Sequence, residues 1–591
     1  MNRTFYPLVV VVSLLLCSVA SGQNPGSAGQ TVRPGAPTGA QVPGMPPPRD
    51  GRNATQTGTA RLRGRVVAAH SGAPLRRAQV TASVVQDQIR RTTTTDADGR
   101  YEFLDLPAGR LLVSVTKTGY VPLQYGQRRS FEAGTPITLT DGQQVERIDF
   151  SLPRGAVISA RITDDFGDPL AGAFVQVQRY QYGPDGQRRL TPVLGGATFG
   201  LSATDDRGEF RAYGLMPGEY VVSATYRGGQ LVPPLGGGND TNEGFSPTYH
   251  PGTVSANEAQ AISVADGEEV SVQFSMIAAR LAKISGTVVD SEGRPAAGAM
   301  LMVMSRQGIG GLTSGASSVA SDGSFTITGI TPGEHSIDVR PIPRPGATGG
   351  EFASMPIVVS GRDISGVRIV TGKGALISGR VVFEGTSSRA APGGNPLRVF
   401  PLPADTSRPF LGFGGGDPLT NGVIDDSGAF QLSGSSGSVF FTVTAGPSWV
   451  MKSVTLDGED ITDEPLDLTG RQSVSGVVIR MTDRLTQIAG QVTDARGQTL
   501  RDYVVVILPA EAKQEPVVAG RWIRTARPDS NGRFETRGMG PGRYVATAIE
   551  DLEQGRQFAP EFQEQLRRNA REFSIREGET LTLDLKLTTG L

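Results

Sequence analysis

The sequence is poor in the side chains on which most enzyme chemistry depends. Its one cysteine, Cys17, lies in a segment interpreted below as a removed export signal. The mature chain is therefore expected to have no disulfide, no catalytic thiol and no cysteine-based metal site. The three histidines, His70, His250 and His335, lie far apart and form no HExxH or HxxE pattern, so the sequence does not indicate a zinc peptidase.

An excess of charge of either sign is also missing. The 591 residues include Lys+Arg 57 against Asp+Glu 58, which gives a formal net charge of −1. This balance provides no general positive field for binding a polyanion. We therefore expect no nucleic-acid partner.

Long apolar runs are confined to the N-terminal residues. Residues 1–22 predict a secretory signal, because Arg3 supplies positive charge, Leu8–Leu16 is almost wholly apolar, and small residues precede Gln23. Two alternatives are a retained membrane anchor and a lipoprotein attached through Cys17, although the apolar run is shorter than the roughly 20 residues that span a bilayer. No later stretch reaches that length, so no membrane span is expected in the mature chain.

Glycine and proline, by contrast, are abundant, with Gly 78 and Pro 40. Residues 23–58 are rich in Gly, Pro, Gln, Thr and Ala and have few large apolar side chains, which predicts a disordered linker. In the rest of the chain apolar residues are frequent enough to build cores, and turns are expected to be many.

A short turn element recurs along the chain. Each copy has a glycine followed two residues later by an aromatic residue, and four copies reach a second glycine ten residues after the first. The five copies are Asp98-Gly99-Arg100-Tyr101, Arg207-Gly208-Glu209-Phe210, Asp322-Gly323-Ser324-Phe325, Ser427-Gly428-Ala429-Phe430 and Asn531-Gly532-Arg533-Phe534. Since glycine suits a tight turn and the aromatic side chain can anchor a core, each copy predicts a β-hairpin.

A strand-like segment precedes each turn element. Successive segments lie about 93 to 126 residues apart, which is the size of a small β-sandwich. Their alternation of apolar and polar residues is typical of a half-buried strand. We therefore predict an all-β chain of five tandem sandwiches. Their expected limits are 59–153, 154–279, 280–373, 374–485 and 486–591.

One helix is expected, over residues 559–571. Pro560 suits a first helical turn, acidic residues come early and arginines late. Phe562, Leu566, Ala570 and Phe573 form an apolar stripe. The helix is interpreted as a structural cap on the fifth sandwich.

The repeated segments resemble a known family. Ile377-Ser378-Gly379-Arg380-Val381, Thr95-Asp96-Ala97-Asp98-Gly99-Arg100-Tyr101 and Leu106-Pro107 are similar to the carboxypeptidase regulatory-like repeat. The resemblance implies transthyretin-like (prealbumin-type) Greek-key β-sandwiches, grouped with starch-binding-like and collagen-adhesin B-type folds, in secreted bacterial proteins. It implies no peptidase activity, because the catalytic domain for which the repeat is named is absent.

The acidic turns raise the question of calcium binding. Asp96 and Asp98 supply two carboxylates, but the further oxygen ligands of an EF-hand-type loop are missing. Because Asp-x-x-Gly also suits a tight turn, we predict turns and no metal site.

Exposed aromatic rings are the usual platforms for sugars, so four aromatic residues are candidates for ligand binding. Trp522 lies among arginines outside the alternating pattern, and Tyr180 and Tyr182 flank a turn in an insertion of the second unit. Tyr249 lies in a proline-rich loop. For each ring, packing on its own sandwich is the alternative.

These observations favour a secreted, non-enzymatic, multi-domain binding protein of the periplasm, cell surface or extracellular space. The expected partner is a polysaccharide or a cell-envelope protein, with no cofactor. A structural stalk or protein-interaction scaffold is the alternative function. An enzyme with a site between units is the third, but paired acids such as Glu268 and Glu269 do not recur in a cleft-like pattern.

Overall fold

The computed structural model describes most of the chain after the predicted linker. The predicted export signal and nearly all of the predicted linker lie outside the described residues. The described ranges are 58–84, 90–127, 134–193, 202–228, 242–306, 313–340, 351–389, 396–404, 422–435, 437–446, 448–511, 521–529 and 531–590.

The described chain is almost entirely β-structure arranged as five successive two-layered units, as the sequence predicts. In the fifth unit the last strand, Leu585–Thr588, pairs with both layers and joins them into one eight-stranded sheet. In every unit, the opening strand lies antiparallel to the strand that follows the repeated turn and parallel to a strand near the end of the unit. The second layer contains an antiparallel pair of strands. One strand of the pair comes before the repeated turn in the chain, and the other comes after the strand that follows the turn. This connectivity makes each unit a Greek-key sandwich.

The first two sandwiches contain strands 1–9 and 10–19, and strand 20 follows the second. In the first they are β1 (Ala60–Ala68), β2 (Gln79–Val84), β3 (Arg90–Thr94), β4 (Arg100–Leu106), β5 (Gly109–Thr116), β6 (Leu123–Gln124), β7 (Ile137–Leu139), β8 (Gln144–Val145) and β9 (Phe150–Leu152). In the second they are β10 (Ala156–Thr163), β11 (Phe174–Tyr182), β12 (Arg188–Pro192), β13 (Ser202–Ala203), β14 (Glu209–Leu215), β15 (Gly218–Thr225), β16 (Glu243–Ser246), β17 (Thr248–Tyr249), β18 (Ile262–Val264) and β19 (Glu269–Ser275), then β20 (Ile277–Arg280). A 3-10 turn, Ala256–Glu258, precedes β18.

The remaining sandwiches contain strands 21–43. The third has β21 (Ala282–Val289), β22 (Met300–Ser305), β23 (Thr313–Ser318), β24 (Ser324–Ile330), β25 (Gly333–Arg340), β26 (Ala353–Val359) and β27 (Ile364–Val370). The fourth has β28 (Ala375–Glu384), β29 (Arg398–Pro403), β30 (Ala429–Ser435), β31 (Ser438–Thr444), β32 (Val450–Leu456), β33 (Glu459–Asp460), β34 (Leu466–Asp467) and β35 (Ser473–Thr482). The fifth has β36 (Gln487–Thr493), β37 (Val504–Pro509), β38 (Arg524–Ala526), β39 (Arg533–Arg537), β40 (Gly542–Ile549), β41 (Arg571–Ile575), β42 (Thr580–Thr582) and β43 (Leu585–Thr588).

The repeated turn owes its shape to an aspartate that bonds the backbone. In four sandwiches an Asp Oδ1 accepts the N–H of the residue four positions later, at 2.8–2.9 Å. These residues are Asp96, Asp205, Asp425 and Asp529. Because this oxygen is engaged by the turn itself, the acidic pattern has a structural explanation. Within the described ranges, no cluster of three His, Cys, Asp or Glu side chains is placed to hold a metal ion.

The aromatic residue after each turn enters the core of its own sandwich. All five are at most 7% exposed, and they are Tyr101, Phe210, Phe325, Phe430 and Phe534. Each sandwich has a separate buried cluster around this ring. The sequence prediction of a repeated core anchor is confirmed.

The fourth sandwich departs from the others, as its divergent sequence suggests. Its first sheet gains the hairpin β32–β33 beyond the closing strand β35. Lys452 on this hairpin and Asp463 just after it contact the fifth sandwich, as described below.

The fifth sandwich contains the expected helix, α1 (Pro560–Arg568), which follows a 3-10 turn at Arg556–Phe558. Phe562 and Leu566 are buried against the outer face of the β37–β40 pair. The helix is shorter than the predicted 559–571, because Asn569 leaves helical geometry and the chain enters β41. Phe573 thus stacks on Tyr544 from a strand, with ring centroids 5.7 Å apart.

Candidate ligand-binding cleft

A cleft of about 950 Å³ separates the second sandwich from the helical segment of the fifth. One wall is the β11–β12 hairpin with the start of β15. The other wall is the 3-10 turn Arg556–Phe558 together with α1. The aromatic residues of the lining are Tyr180, Tyr182, Tyr220 and Phe562. Its charged and amide residues are Arg179, Gln181, Arg188, Glu219, Asn257, Glu553, Gln554, Arg556, Glu561 and Gln565. Two of the four candidates from the sequence therefore lie in one cleft.

The two walls meet where a glycine allows close backbone approach. Gly555 has φ 90°, and a Cβ added there would lie 2.7 Å from the Tyr182 carbonyl oxygen. The Tyr182 side chain packs against the apolar cluster beneath α1, together with Phe558. Tyr182 is therefore both a lining residue and part of the contact between the sandwiches.

A buried arginine crosses from one wall to the other. Arg179 on β11 is 4% exposed, and its Nη2 lies 3.4 Å from Glu553 Oε1 of the fifth sandwich. Burial lowers the pKa of Arg179, while the Glu553 carboxylate opposes that change. Since an arginine stays protonated in proteins, Arg179 and Glu553 form an ion pair that joins the two walls at the base of the cleft.

Tyr180 is held rigidly at the cleft surface. Its hydroxyl donates to the Ala256 carbonyl at 2.8 Å, and the Arg188 guanidinium lies over the ring, 4.1 Å from its centroid. On the opposite wall Arg556 covers Phe562 at 4.5 Å. Each wall thus presents an arginine stacked on an aromatic ring, an arrangement that orders the guanidinium for hydrogen bonding.

Tyr220 closes the bottom of the cleft from the core of the second sandwich. Its hydroxyl donates to the Met216 carbonyl at 2.6 Å, and burial raises the pKa of this phenol to about 12. The hydroxyl therefore remains protonated across the physiological range and acts as a structural donor.

The ligand-binding role predicted for Tyr249 stays a prediction that its burial does not favour. Tyr249 is 2% exposed and packs with Val221 behind Tyr180 and Leu190. A buried ring has no face available to stack on a ligand, so Tyr249 supports Tyr180 instead. The prolines around Tyr249 suggest a loop, but the structure places Tyr249 in strand β17, which pairs with β15.

Trp522 lies away from the cleft, at the junction of the fourth and fifth sandwiches. Its Nε1 is 3.1 Å from both carboxylate oxygens of Asp463, which follows the β32–β33 hairpin. Arg521 Nη1 reaches the same carboxylate at 3.3 Å, and the indole packs against Tyr544. These contacts make Trp522 a clamp between sandwiches; its assignment to ligand binding stays a prediction that this geometry does not favour.

Sequence reasoning missed the residues that the fifth sandwich contributes. The sequence does not mark Glu553, Arg556 and Phe562 as lining residues, because nothing in a repeat pattern places the fifth unit beside the second. One signal was available for Arg179: strand β11 carries glutamine and arginine at consecutive positions, and a polar side chain in a core strand often marks a contact site.

Comparison with known proteins places the first sandwich in a family. The carboxypeptidase regulatory-like domain model matches residues 61–153, which confirms the resemblance inferred from the repeats. Among curated proteins, serine-aspartate repeat-containing protein D of Staphylococcus aureus (strain Newman) is 27% identical over 180 residues. The match covers 27% of this chain and 12% of that relative's length.

Solved structures give weaker likenesses. A streptococcal ancillary pilin is 15% identical, with 53% of this chain and 98% of that chain covered and a TM-score of 0.20. The minor pilin GBS52 of Streptococcus agalactiae is 13% identical, with 37% and 96% covered and a TM-score of 0.21. Our description of the fold rests on the strand pairing given above.

Proposed function

We propose that this protein is a non-enzymatic, multi-domain binding protein of the cell envelope and that it holds a polysaccharide in the cleft between the second and fifth sandwiches. One observation carries the proposal. Tyr180 and Tyr182, selected from the sequence as sugar platforms, lie together in a cleft whose other lining side chains are mostly planar and polar.

The chemistry of the lining suits sugars. Amide, guanidinium and carboxylate groups are planar and can bond neighbouring hydroxyls, while aromatic rings accept the apolar faces of a sugar. The cleft contains three arginines and three glutamates, so their formal charges cancel. This balance favours a neutral, hydroxyl-rich ligand over a strongly charged one.

The carboxylates of the cleft do not favour catalysis. Glu553 pairs with Arg179 and its side chain is 56% exposed. A general acid in glycoside hydrolysis usually sits in an apolar pocket that raises its pKa. The geometry therefore supports retention of the ligand without cleavage.

Placement at the cell envelope rests on the predicted export signal, residues 1–22. Within the described residues, none of the helices has the length and apolar character needed to cross a membrane. We infer that the folded sandwiches operate outside the cytoplasm.

The proposal is tested by co-sedimentation of the purified protein with insoluble polysaccharides, including starch, cellulose, chitin and cell-wall material. We expect saturable binding to at least one of them. Tyr180→Ala should weaken that binding, because it removes a ring that Arg188 and Ala256 hold in place. Tyr213→Ala is the matched control, since Tyr213 is a partly buried tyrosine on the other sheet of the same sandwich and does not line the cleft.

Two results would contradict the proposal. Absence of binding to every polysaccharide would remove the carbohydrate function. Binding that Tyr180→Ala and Tyr213→Ala leave equally intact would keep the function and refute the cleft as its site.

A stalk is the second candidate function, and the junction between the fourth and fifth sandwiches favours it. Lys452 Nζ lies 2.9 Å from carboxylate oxygens of both Glu384 and Glu577, which belong to different sandwiches. Together with the Trp522–Asp463 contact, this ion pair network restrains rotation at the junction. A stiff junction is what a spacer requires, and it is compatible with a ligand cleft elsewhere.

A further inference from the structure

A second cavity, of about 540 Å³, lies between the first and second sandwiches. The first sandwich contributes the end of β5 and the segment around β6, and the second contributes β12 and the end of β14. The hydroxyl and amide residues of the lining are Ser114, Thr116, Gln124, Gln127, Gln181, Thr191 and Gln554. Pro122, Leu123 and Pro192 add apolar surface.

The second cavity adjoins the cleft described above. Arg179, Gln181 and Gln554 line both spaces, so a molecule in either one would meet the same three side chains. Arg179 is the charged residue of the second lining, and it is already paired with Glu553. Gln554 is exposed and belongs to the linings of both spaces.

The two linings have the same chemical character. Both combine amides with apolar or aromatic surface, and neither carries an excess of formal charge beyond the paired arginine. Each space alone falls within the usual size of a small-molecule site, whereas together they exceed it. A long neutral ligand with many hydroxyl groups fits this continuity better than two unrelated small molecules.

We propose that the two cavities are adjoining subsites for one polysaccharide chain, so that the protein recognises an internal stretch of the polymer. This inference rests on the proposed function. The first, second and fifth sandwiches together would then form one site, with Arg179, Gln181 and Gln554 at the point where the subsites meet.

The proposal is tested with the full chain and soluble oligosaccharides of two lengths. The probes are maltose and maltohexaose, cellobiose and cellohexaose, and chitobiose and chitohexaose, with affinities measured by titration calorimetry. The wild-type protein should bind the hexasaccharide of the preferred series about tenfold or more tightly than the disaccharide, because the second subsite adds contacts without a second association.

Thr116→Trp should remove that advantage. Thr116 is exposed at the rim of the second cavity and does not line the cleft, so a large ring there blocks the second subsite alone. The hexasaccharide should fall to the affinity of the disaccharide, and the disaccharide should be unaffected. Thr138→Trp is the control, since Thr138 is also exposed and lies on the neighbouring strand β7, and it should change neither affinity.

A conservative variant covers the case in which the new ring disturbs folding. Thr191→Val removes one lining hydroxyl of the second cavity with little change of shape, and it should weaken hexasaccharide binding by about fivefold without affecting the disaccharide. Equal wild-type affinity for both lengths, or length dependence that both variants preserve, would overturn the two-subsite proposal and leave the cleft standing. Failure of every saccharide and polysaccharide to bind would overturn the proposed function and this inference with it.

Discussion

His335 occupies a position where two other sandwiches have a tyrosine. Tyr220 and Tyr544 each donate a hydroxyl proton to the carbonyl four residues earlier, at 2.6 Å. His335 Nε2 makes the corresponding contact with the Thr331 carbonyl at 2.8 Å. Because a carbonyl can only accept, Nε2 carries the proton, which leaves Nδ1 buried with no hydrogen-bond partner in the described structure.

This arrangement should make the third sandwich sensitive to acid. His335 is 1% exposed, and its strand neighbours in register, Ser305 and Ile357, are not ionisable. Burial lowers its pKa below the value of about 6.5 expected in the unfolded chain. Below about pH 6.5 the unfolded state therefore binds a proton that the folded state does not. The free energy of unfolding should fall by at most about 1.4 kcal/mol per pH unit until the folded-state pKa is reached.

Hydrogen exchange of the full chain can measure this loss in the peptides that cover β24 and β25. His335→Tyr restores the hydroxyl donor and removes the titrating group, so it is the matched reference at every pH. On lowering the pH from about 7.5 to about 5.5, these peptides should become up to about tenfold less protected in the wild type than in the variant. Peptides from β15, which holds Tyr220, should show no such difference. Identical pH dependence in wild type and variant would refute the reasoning.

Two further predictions concern the contacts between sandwiches. Gly555→Ala should separate the second and fifth sandwiches, because the new Cβ would meet the Tyr182 carbonyl oxygen, and polysaccharide binding should fall with it. Gly497→Ala is the control, because Gly497 has a similar φ of 81° and open space around it. Backbone strain alone should lower its free energy of unfolding by about 1–2 kcal/mol. Equal loss of binding in both variants would contradict the contact. Trp522→Phe should weaken the junction of the fourth and fifth sandwiches by about 1 kcal/mol, seen as faster proteolysis there, with ligand binding intact. Trp449→Phe, whose indole N–H bonds Ser388 within the fourth sandwich, is its control, and unchanged proteolysis of Trp522→Phe would count against the clamp.

The sequence was sufficient to predict the sandwiches because the responsible interactions are local. The aspartate of each turn bonds backbone groups within four residues, and the aromatic residue that follows enters the nearest core. Alternation of apolar residues then fixes which face of each strand is buried. Even the helix was predictable, apart from its end, which is set when Phe573 stacks on Tyr544 as part of a strand.

The cleft was only half predictable because its walls come from units distant in the sequence. Tyr180 and Tyr182 were visible as aromatic residues in an insertion, but their partners begin at Glu553. A repeat pattern describes what each unit has in common, whereas Glu553, Gly555 and α1 belong to a segment that the other units lack. The contact between the second and fifth sandwiches therefore depends on features that no comparison among the repeats could identify.

Tyr182 and Trp522 show why an aromatic residue outside a core pattern has two meanings. Both rings lie where one sandwich meets another, yet Tyr182 faces an open cleft and Trp522 is bonded to a carboxylate of its neighbour. In an isolated sandwich either ring would be exposed and would look like a binding platform. In a tandem array, an aromatic residue outside the core pattern can also mark a joint between sandwiches. A binding platform differs from a joint in that open space remains beside the ring after the sandwiches meet. Tyr182 keeps such a space beside it while also closing the joint, so the cleft exists only when the second and fifth sandwiches are in contact.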